Sequence, residues 1–274
     1  MKLITYRYQN QTFVGALSEG GISPLPYGSM NELIESGETP VPGAPTLRAE
    51  DAELLAPIPR PRQDVICLGV NYQSHAEETG STFTGEGAPV PIFFSKRVNE
   101  AAAPGGVIQS HFDIDSDLDY EAELAVIIGR SASRVSEEEA GSFVFGYTVL
   151  NDVSSRRLQT HHKQWYFGKS LDGATPMGPW IVTADEIAFP PALDIRCRVN
   201  GELRQHANTS QLMTTIPQII HILSAGMTLL PGTIISTGTP SGVGLGFQPP
   251  RYLKSGDVVE CEIERIGVLR STVR

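Results

Sequence analysis

The segment Leu118-Asp119-Tyr120-Glu121-Ala122-Glu123-Leu124-Ala125-Val126-Ile127-Ile128-Gly129 carries the strongest chemical signal in this sequence. A strand alternates its side chains, so Asp119, Glu121 and Glu123 share one face, and Tyr120, Ala122, Leu124, Val126 and Ile128 share the other. Carboxylates beside an apolar core are costly unless they are paired, protonated or bound to a cation. Two of them at i and i+2 repel each other, and a divalent cation relieves that repulsion. Oxygen ligands without a nearby Cys or His cluster suit magnesium, manganese or calcium better than zinc. Read by itself, the pair also fits a solvated strand face. Asp152 follows the apolar strand 143–150 and offers a third ligand at the rim of a pocket. Its plainer alternative is a turn or a helix cap.

A second group lies in Gly69-Val70-Asn71-Tyr72-Gln73-Ser74-His75-Ala76-Glu77-Glu78. If Ser74 to Glu78 begin a helical turn, His75 and Glu78 meet at i and i+3. A carboxylate beside an imidazole orients it and raises its basicity, which suits a general base. The competing reading is a surface helix start. Lys169, in the turn-rich stretch 168–179, lacks the leading glycines of a phosphate loop. It is either a lysine that neutralises an anionic substrate or enolate, or a solvated one. The loop Thr237-Gly238-Thr239-Pro240-Ser241-Gly242-Val243-Gly244 offers free backbone N–H groups and small hydroxyls, as anion-binding loops do, or else simply connects two elements.

The elements that would carry these residues are mostly strands. Val65–Val70, Pro91–Phe94, 118–128 and Phe143–Leu150 read as strands, 118–128 as one long one. Asn200-Gly201 marks a tight hairpin, and Val258 to Val273 reads as two antiparallel strands that turn near Gly267. Ile216, Ile219, Ile220 and Leu223 follow helical spacing, with Thr215 to cap the start, Pro217 in the first turn and Gly226 to end it. His221 in that helix reads as a satisfied core histidine. Strands outnumber helices without βα alternation, which predicts a strand-rich α+β fold. Residues 1–57 form a small N-terminal unit, closed off by Pro40, Pro42, Pro45, Pro57, Pro59 and Pro61, and 58–274 form the main domain. The loops 78–91 and 97–117 are long enough to cover a site.

Bulk properties narrow the function. The net charge is −10 over 274 residues, which argues against nucleic acid or an anionic membrane as partner. The most apolar stretch, 216–235, is broken by Pro217, Gln218, His221, Gly226 and Pro231 and reads as a core helix and strand, not a span. Cys67, Cys197 and Cys261 form neither a disulfide framework nor a zinc motif, so a reduced cytoplasmic setting is expected.

In order and wording, the motifs at 69–78, 119–124 (Asp-Tyr-Glu-Ala-Glu-Leu), 151–152 (Asn-Asp), 168–170 (Gly-Lys-Ser) and 237–244 resemble the fumarylacetoacetate hydrolase family, from about residue 64 to the end. The resemblance implies a mixed β-roll or β-sandwich catalytic domain behind a small variable N-terminal domain, usually in a homodimer. It implies a Mg2+ or Mn2+ ion held by Glu121, Glu123 and Asp152, with Asp119 left out of the ligand set. It implies His75 and Glu78 as a catalytic pair on a lid, Lys169 as the active-site lysine, and Arg156, Gln159 and Thr239 as substrate contacts. The family often has proline after its Ser-Lys, where Arg97 follows Ser95-Lys96 here. The expected reaction is cleavage of a C–C bond in a small anionic 1,3-dicarbonyl or oxo acid, as in the breakdown of aromatic compounds. Decarboxylation or isomerisation of a 2-oxo or hydroxymuconate-type diacid needs the same metal and lysine and is the alternative.

Overall fold

A computed structural model describes residues 1–80 and 90–274, so the central part of the expected 78–91 loop lies outside the described residues. Its largest feature is a ten-stranded sheet. In spatial order its path is Gly21–Pro24, Gln11–Ser18, Lys2–Tyr8, Met177–Thr183, Val144–Asn151, Ala122–Ile128, Ile234–Ser236, Val65–Leu68 and Phe93–Lys96, with Glu53–Leu54 beside Lys2–Tyr8. Neighbours are antiparallel except Ile234–Ser236 beside Val65–Leu68. Lys2 and Leu3 pair with Val182 and Ile181, so hydrogen bonding runs from the first strand into the rest of the sheet. A five-stranded sheet, ordered Glu202–Asn208, Asp194–Val199, Val258–Ile263, Gly267–Val273 and Val107–Ile108, packs against it. The protein is thus the strand-rich α+β fold that the residue pattern predicts.

Strand alternation sorts the core. Leu124, Val126 and Ile128 join the cluster shared with Ile195, Cys197, Val259, Cys261 and helix Ile216–Ser224. Ala125 and Ile127, on the face of Glu123, join Leu3, Leu33, Ile34, Val65 and Ile234. Each large aliphatic side chain so buried contributes about 1.5–3 kcal/mol, which gives the site a stiff floor on both sides of the strand. Thr215 and Gln218 form a capping box at the start of the Ile216–Ser224 helix. All three cysteines are free and buried. No helix among the described residues is long and apolar enough to cross a membrane.

Two expectations need correction. The 118–128 strand is broken: Leu118–Asp119 pairs with Ser154–Ser155 in a small sheet of its own, and Ala122–Ile128 belongs to the large sheet. The break occurs because side chains take over the ladder. Asn151 Oδ1 accepts from Glu121 N at 3.0 Å, and Gln205 Oε1 accepts from Ala122 N at 3.0 Å. His221 is exposed rather than core, although its Nδ1 lies 2.7 Å from the Val135 carbonyl. The polar side of an amphipathic helix explains this, since Ile219, Ile220 and Leu223 take the buried side.

Candidate metal centre and active site

Antiparallel pairing assembles the acidic cluster. Glu123 lies opposite Leu150 and Ala122 opposite Asn151, so the residue after Asn151 arrives beside the two glutamates. Asp152 N donates to Glu121 O at 2.8 Å, fixing that arrival. One carboxylate oxygen from each of Glu121, Glu123 and Asp152 lies within 4.8 Å of the others. Glu121 is 4 % exposed and the other two are 0 % exposed, which excludes the solvated strand face.

Three cations meet this cluster. Lys169 Nζ lies 2.7 Å from both Glu121 Oε2 and Asp152 Oδ2. Arg156 Nη1 lies 2.8 Å from Glu121 Oε1, and Arg156 Nε donates to Asp119 Oδ2 at 2.8 Å. Lys96 Nζ, fully buried, donates to Val153 O at 2.9 Å and lies 2.8 Å from Asp152 Oδ1, out of line for a hydrogen bond. Burial opposes the charge on Glu121, but Lys169 and Arg156 overcome it and bring its carboxyl down to about 2. Glu123 goes the other way: burial first, then the charges of Asp152 and Glu121, push its carboxyl well above the usual range. Burial also works against the Lys169 ammonium, yet Asp152 and Glu121 hold its proton more tightly than an ordinary lysine's.

Glu123 is the member that still lacks a charge partner. Its Oε2 accepts from Ser236 Oγ at 2.6 Å and Gly238 N at 2.8 Å, while Oε1 is buried with no hydrogen-bond partner. Asp152 Oδ1 is likewise without a hydrogen bond. Buried carboxylate oxygens left without hydrogen bonds, in an all-oxygen set, fit a hard divalent cation. The acidic triad can therefore bind a divalent metal.

The dyad lies on a short helix, Gln73–Thr79, that ends at Gly80 in the left-handed conformation. His75 Nδ1 lies 3.2 Å from Glu78 Oε2, and Glu78 Oε1 accepts from Gly242 N at 2.8 Å. His75 is buried, near enough to Glu121 for a positive charge on its ring to act on that carboxylate. The glycine-rich loop serves the chain's own acids: Gly238 N reaches Glu123, Gly242 N reaches Glu78, and Gly244 N and Leu245 N reach Asp119 at 2.6 and 2.9 Å.

The structure brings Arg156, Lys169 and the three acids together, and it distributes the expected substrate contacts unevenly. Arg156 Nη2 is buried without a partner, while Arg156 Nη1 donates to half-buried Gln159 at 3.1 Å. The Thr239 hydroxyl is already engaged, donating to Ala122 O at 3.0 Å and accepting from Gln205 Nε2 at 2.7 Å. Three contributors escape a motif reading. Lys96 sits two residues after Phe94 in an apolar strand, a spacing that hints at an inward charge. Gln205 and Asp115 leave no such trace. Asp115 accepts from Ser155 Oγ and from Leu158 N at 3.2 Å, thereby anchoring the helix of Arg156.

Comparison with known proteins agrees with this geometry. The family described as Fumarylacetoacetate (FAA) hydrolase C-terminal matches residues 64–274. The chain is 47% identical over 223 residues to Oxaloacetate tautomerase YisK of Bacillus subtilis, covering 81% of this chain and 73% of that protein. A fumarylacetoacetate hydrolase from Exiguobacterium antarcticum superimposes with a TM-score of 0.90 at 38% identity, covering 100% of this chain and 99% of the other. A 2-hydroxyhepta-2,4-diene-1,7-dioate isomerase from Mycobacterium marinum does so with a TM-score of 0.78 at 31% identity, covering 100% and 98%. With the match spanning most of its length and the acidic triad set in that fold, this chain belongs to the fumarylacetoacetate hydrolase family.

Proposed function

We propose that this enzyme is a divalent-cation-dependent tautomerase or isomerase of a small 2-oxo diacid of the oxaloacetate class. The 47% identity to an oxaloacetate tautomerase carries this reading. It favours the isomerase alternative over the C–C hydrolase expected first. The proposal takes Glu121, Glu123 and Asp152 as ligands of Mg2+ or Mn2+, His75 with Glu78 and Lys169 as catalytic groups, and Arg156, Gln159 and Thr239 as substrate contacts. When bound, the cation supplies Lewis acidity toward the 2-oxo group and lowers the cost of enolate charge.

The remaining work falls to the chain. Arg156 Nη2, buried and unpartnered, is free to pair with a substrate carboxylate. The C3–H bond of the keto acid breaks as its proton passes to His75 Nε2, because Nδ1 faces Glu78. The C–H electron pair becomes the C2=C3 bond, and the carbonyl electron pair moves onto O2. Lys169, whose proton is held tightly between Glu121 and Asp152, keeps its positive charge beside the developing oxyanion. The imidazolium then returns its proton to O2 to give the enol, and the steps reverse for ketonisation.

Hydrolysis is the second reading, favoured by one feature: a His–Glu pair is also what activates a water. One experiment separates the outcomes. Enol oxaloacetate, an acylpyruvate and a hydroxymuconate-type diacid are each presented with Mg2+, and ultraviolet loss of the enol, pyruvate and carbon dioxide are followed. Faster enol–keto exchange without pyruvate or carbon dioxide supports the proposal, and release of either product as the main event contradicts it.

The proposal extends to assembly and setting. A homodimer is the commonest closed assembly, and sedimentation at twice the chain mass is the expected result. Three free buried cysteines support a reduced cytoplasmic setting. A family match beginning at residue 64 supports treating 1–57 as a small unit ahead of a catalytic one at 58–274.

A further inference from the structure

The loop 237–246 holds two halves of the site at once. Its Gly238 N–H binds Glu123 in the cation cradle, and its Gly242 N–H binds Glu78 of the proton-transfer pair. Of its four glycines, two have backbone reasons to be glycine. Gly238 and Gly242 sit at φ +97° and +100°, where side chains are strained. Gly244 has an ordinary φ, but a Cβ there would meet the Arg251 carbonyl at 2.6 Å and Asp119 Oδ1 at 2.7 Å. Gly246 is different. Its φ is ordinary, and the three atoms that a Cβ there would meet first all belong to the Glu78 side chain, Cγ, Cδ and Oε1.

We propose that Gly246 is a positioning residue for the catalytic pair: its bare backbone is the seat on which the Glu78 side chain lies, and that seat delivers Glu78 Oε2 to His75 Nδ1. The inference rests on the assignment of His75 as the proton-transfer group. The Glu78 carboxyl is placed by two hydrogen-bond contacts, Gly242 N to Oε1 and His75 Nδ1 to Oε2, and by the room at Gly246. Adding one methyl group at 246 evicts the carboxyl while leaving Glu121, Glu123, Asp152 and their lysines untouched. The expected result is therefore a loss in the chemical step alone, since a misplacement of about 1 Å costs on the order of 100-fold.

The test uses the full chain and three variants: Gly246→Ala, Glu78→Asp and the two combined. Asp is shorter by one methylene and draws the carboxyl back from a new Cβ at 246. Gly246→Ala is expected to lower kcat for enol–keto exchange by roughly 10- to 100-fold. KM and Mn2+ affinity, the latter read by electron paramagnetic resonance, are expected to stay within about twofold, since the cradle is unaltered. The 15N resonance of His75 Nδ1 is expected to move in Gly246→Ala and to return toward the wild-type position in the double variant. The double variant is also expected to exceed Gly246→Ala in kcat. Wild-type kcat in Gly246→Ala, a parallel loss of Mn2+ affinity, an unmoved nitrogen resonance, or a double variant no better than the single would each overturn the proposal. A wild-type chain inactive on the diacid would instead remove the tautomerase reading, and the nitrogen resonance, which needs no turnover, would still decide the role of Gly246.

Discussion

The acidic cradle and the His75–Glu78 helix are built in opposite ways. The cradle stands on central strands whose two faces are both buried, and each acid is held by two or more partners from distant parts of the chain. The helix is seven residues long and reaches the loop 237–246 through Glu78. The two regions divide the labour. A cation site must be preformed, because buried like charges tolerate no slack. A proton-transfer group benefits from being mounted separately, because it must meet the substrate only after the substrate enters.

Breaking the cradle has the largest expected effect. Asp152→Asn removes the acid that faces both Lys96 and Lys169 and leaves two buried ammonium groups short of a counter-charge. Loss of one partner from a buried ion pair costs about 3–5 kcal/mol, so the melting temperature should fall sharply and cation binding should fail. Calorimetric melting with and without Mg2+ reads both effects, and an unchanged melting curve would show that the ion cluster is not the keystone.

Breaking the helix side should look different. His75→Ala should lower kcat by roughly 100- to 10,000-fold, the range typical of general acid–base groups. Cation affinity and melting temperature should stay near wild type, because His75 is not among the cradle's acids. A variant that loses cation binding together with activity would erase the distinction between the two regions.

The smallest effect is expected at Asp115, the cradle's outer support. Burial opposes ionisation of Asp115, but hydrogen bonds from Ser155, Asp117 N and Leu158 N outweigh it and hold its carboxyl below the ordinary value. A folded pKa below the unfolded one means stability that is present above the unfolded value and lost as pH falls through the folded one. Asp115→Asn should therefore cost about 1 kcal/mol at neutral pH, and the gap from wild type should close below roughly pH 4. Denaturant unfolding at pH 7 and pH 3 checks this, and a gap of equal size at both would contradict the sign.

The legibility of the site follows the same division. Period-2 alternation groups Glu121 and Glu123 with Asp119, and only the family resemblance selects Glu121, Glu123 and Asp152, the three that the structure brings together. His75 and Glu78 were readable because i, i+3 spacing is local too. The break at Tyr120-Glu121 was not, since it depends on Asn151 and Gln205 arriving from remote strands. Lys96 shows in the sequence only as part of a Ser-Lys pattern, because whether a lysine at a strand end points inward depends on strand order. The strand order itself, with Ile234–Ser236 between Ala122–Ile128 and Val65–Leu68, is set by non-local pairing that no window of the sequence contains.

Under the proposed function, proton transfer on a 2-oxo diacid requires a divalent cation in the Glu121–Glu123–Asp152 cradle. The most direct test follows the ultraviolet decay of enol oxaloacetate with chelator-stripped protein as Mg2+ or Mn2+ is added back. Negligible catalysis is expected in the stripped protein, with saturable recovery on adding the cation and no pyruvate or carbon dioxide beyond the uncatalysed background. Full tautomerisation by the stripped protein, or pyruvate released in step with enol loss, would contradict it.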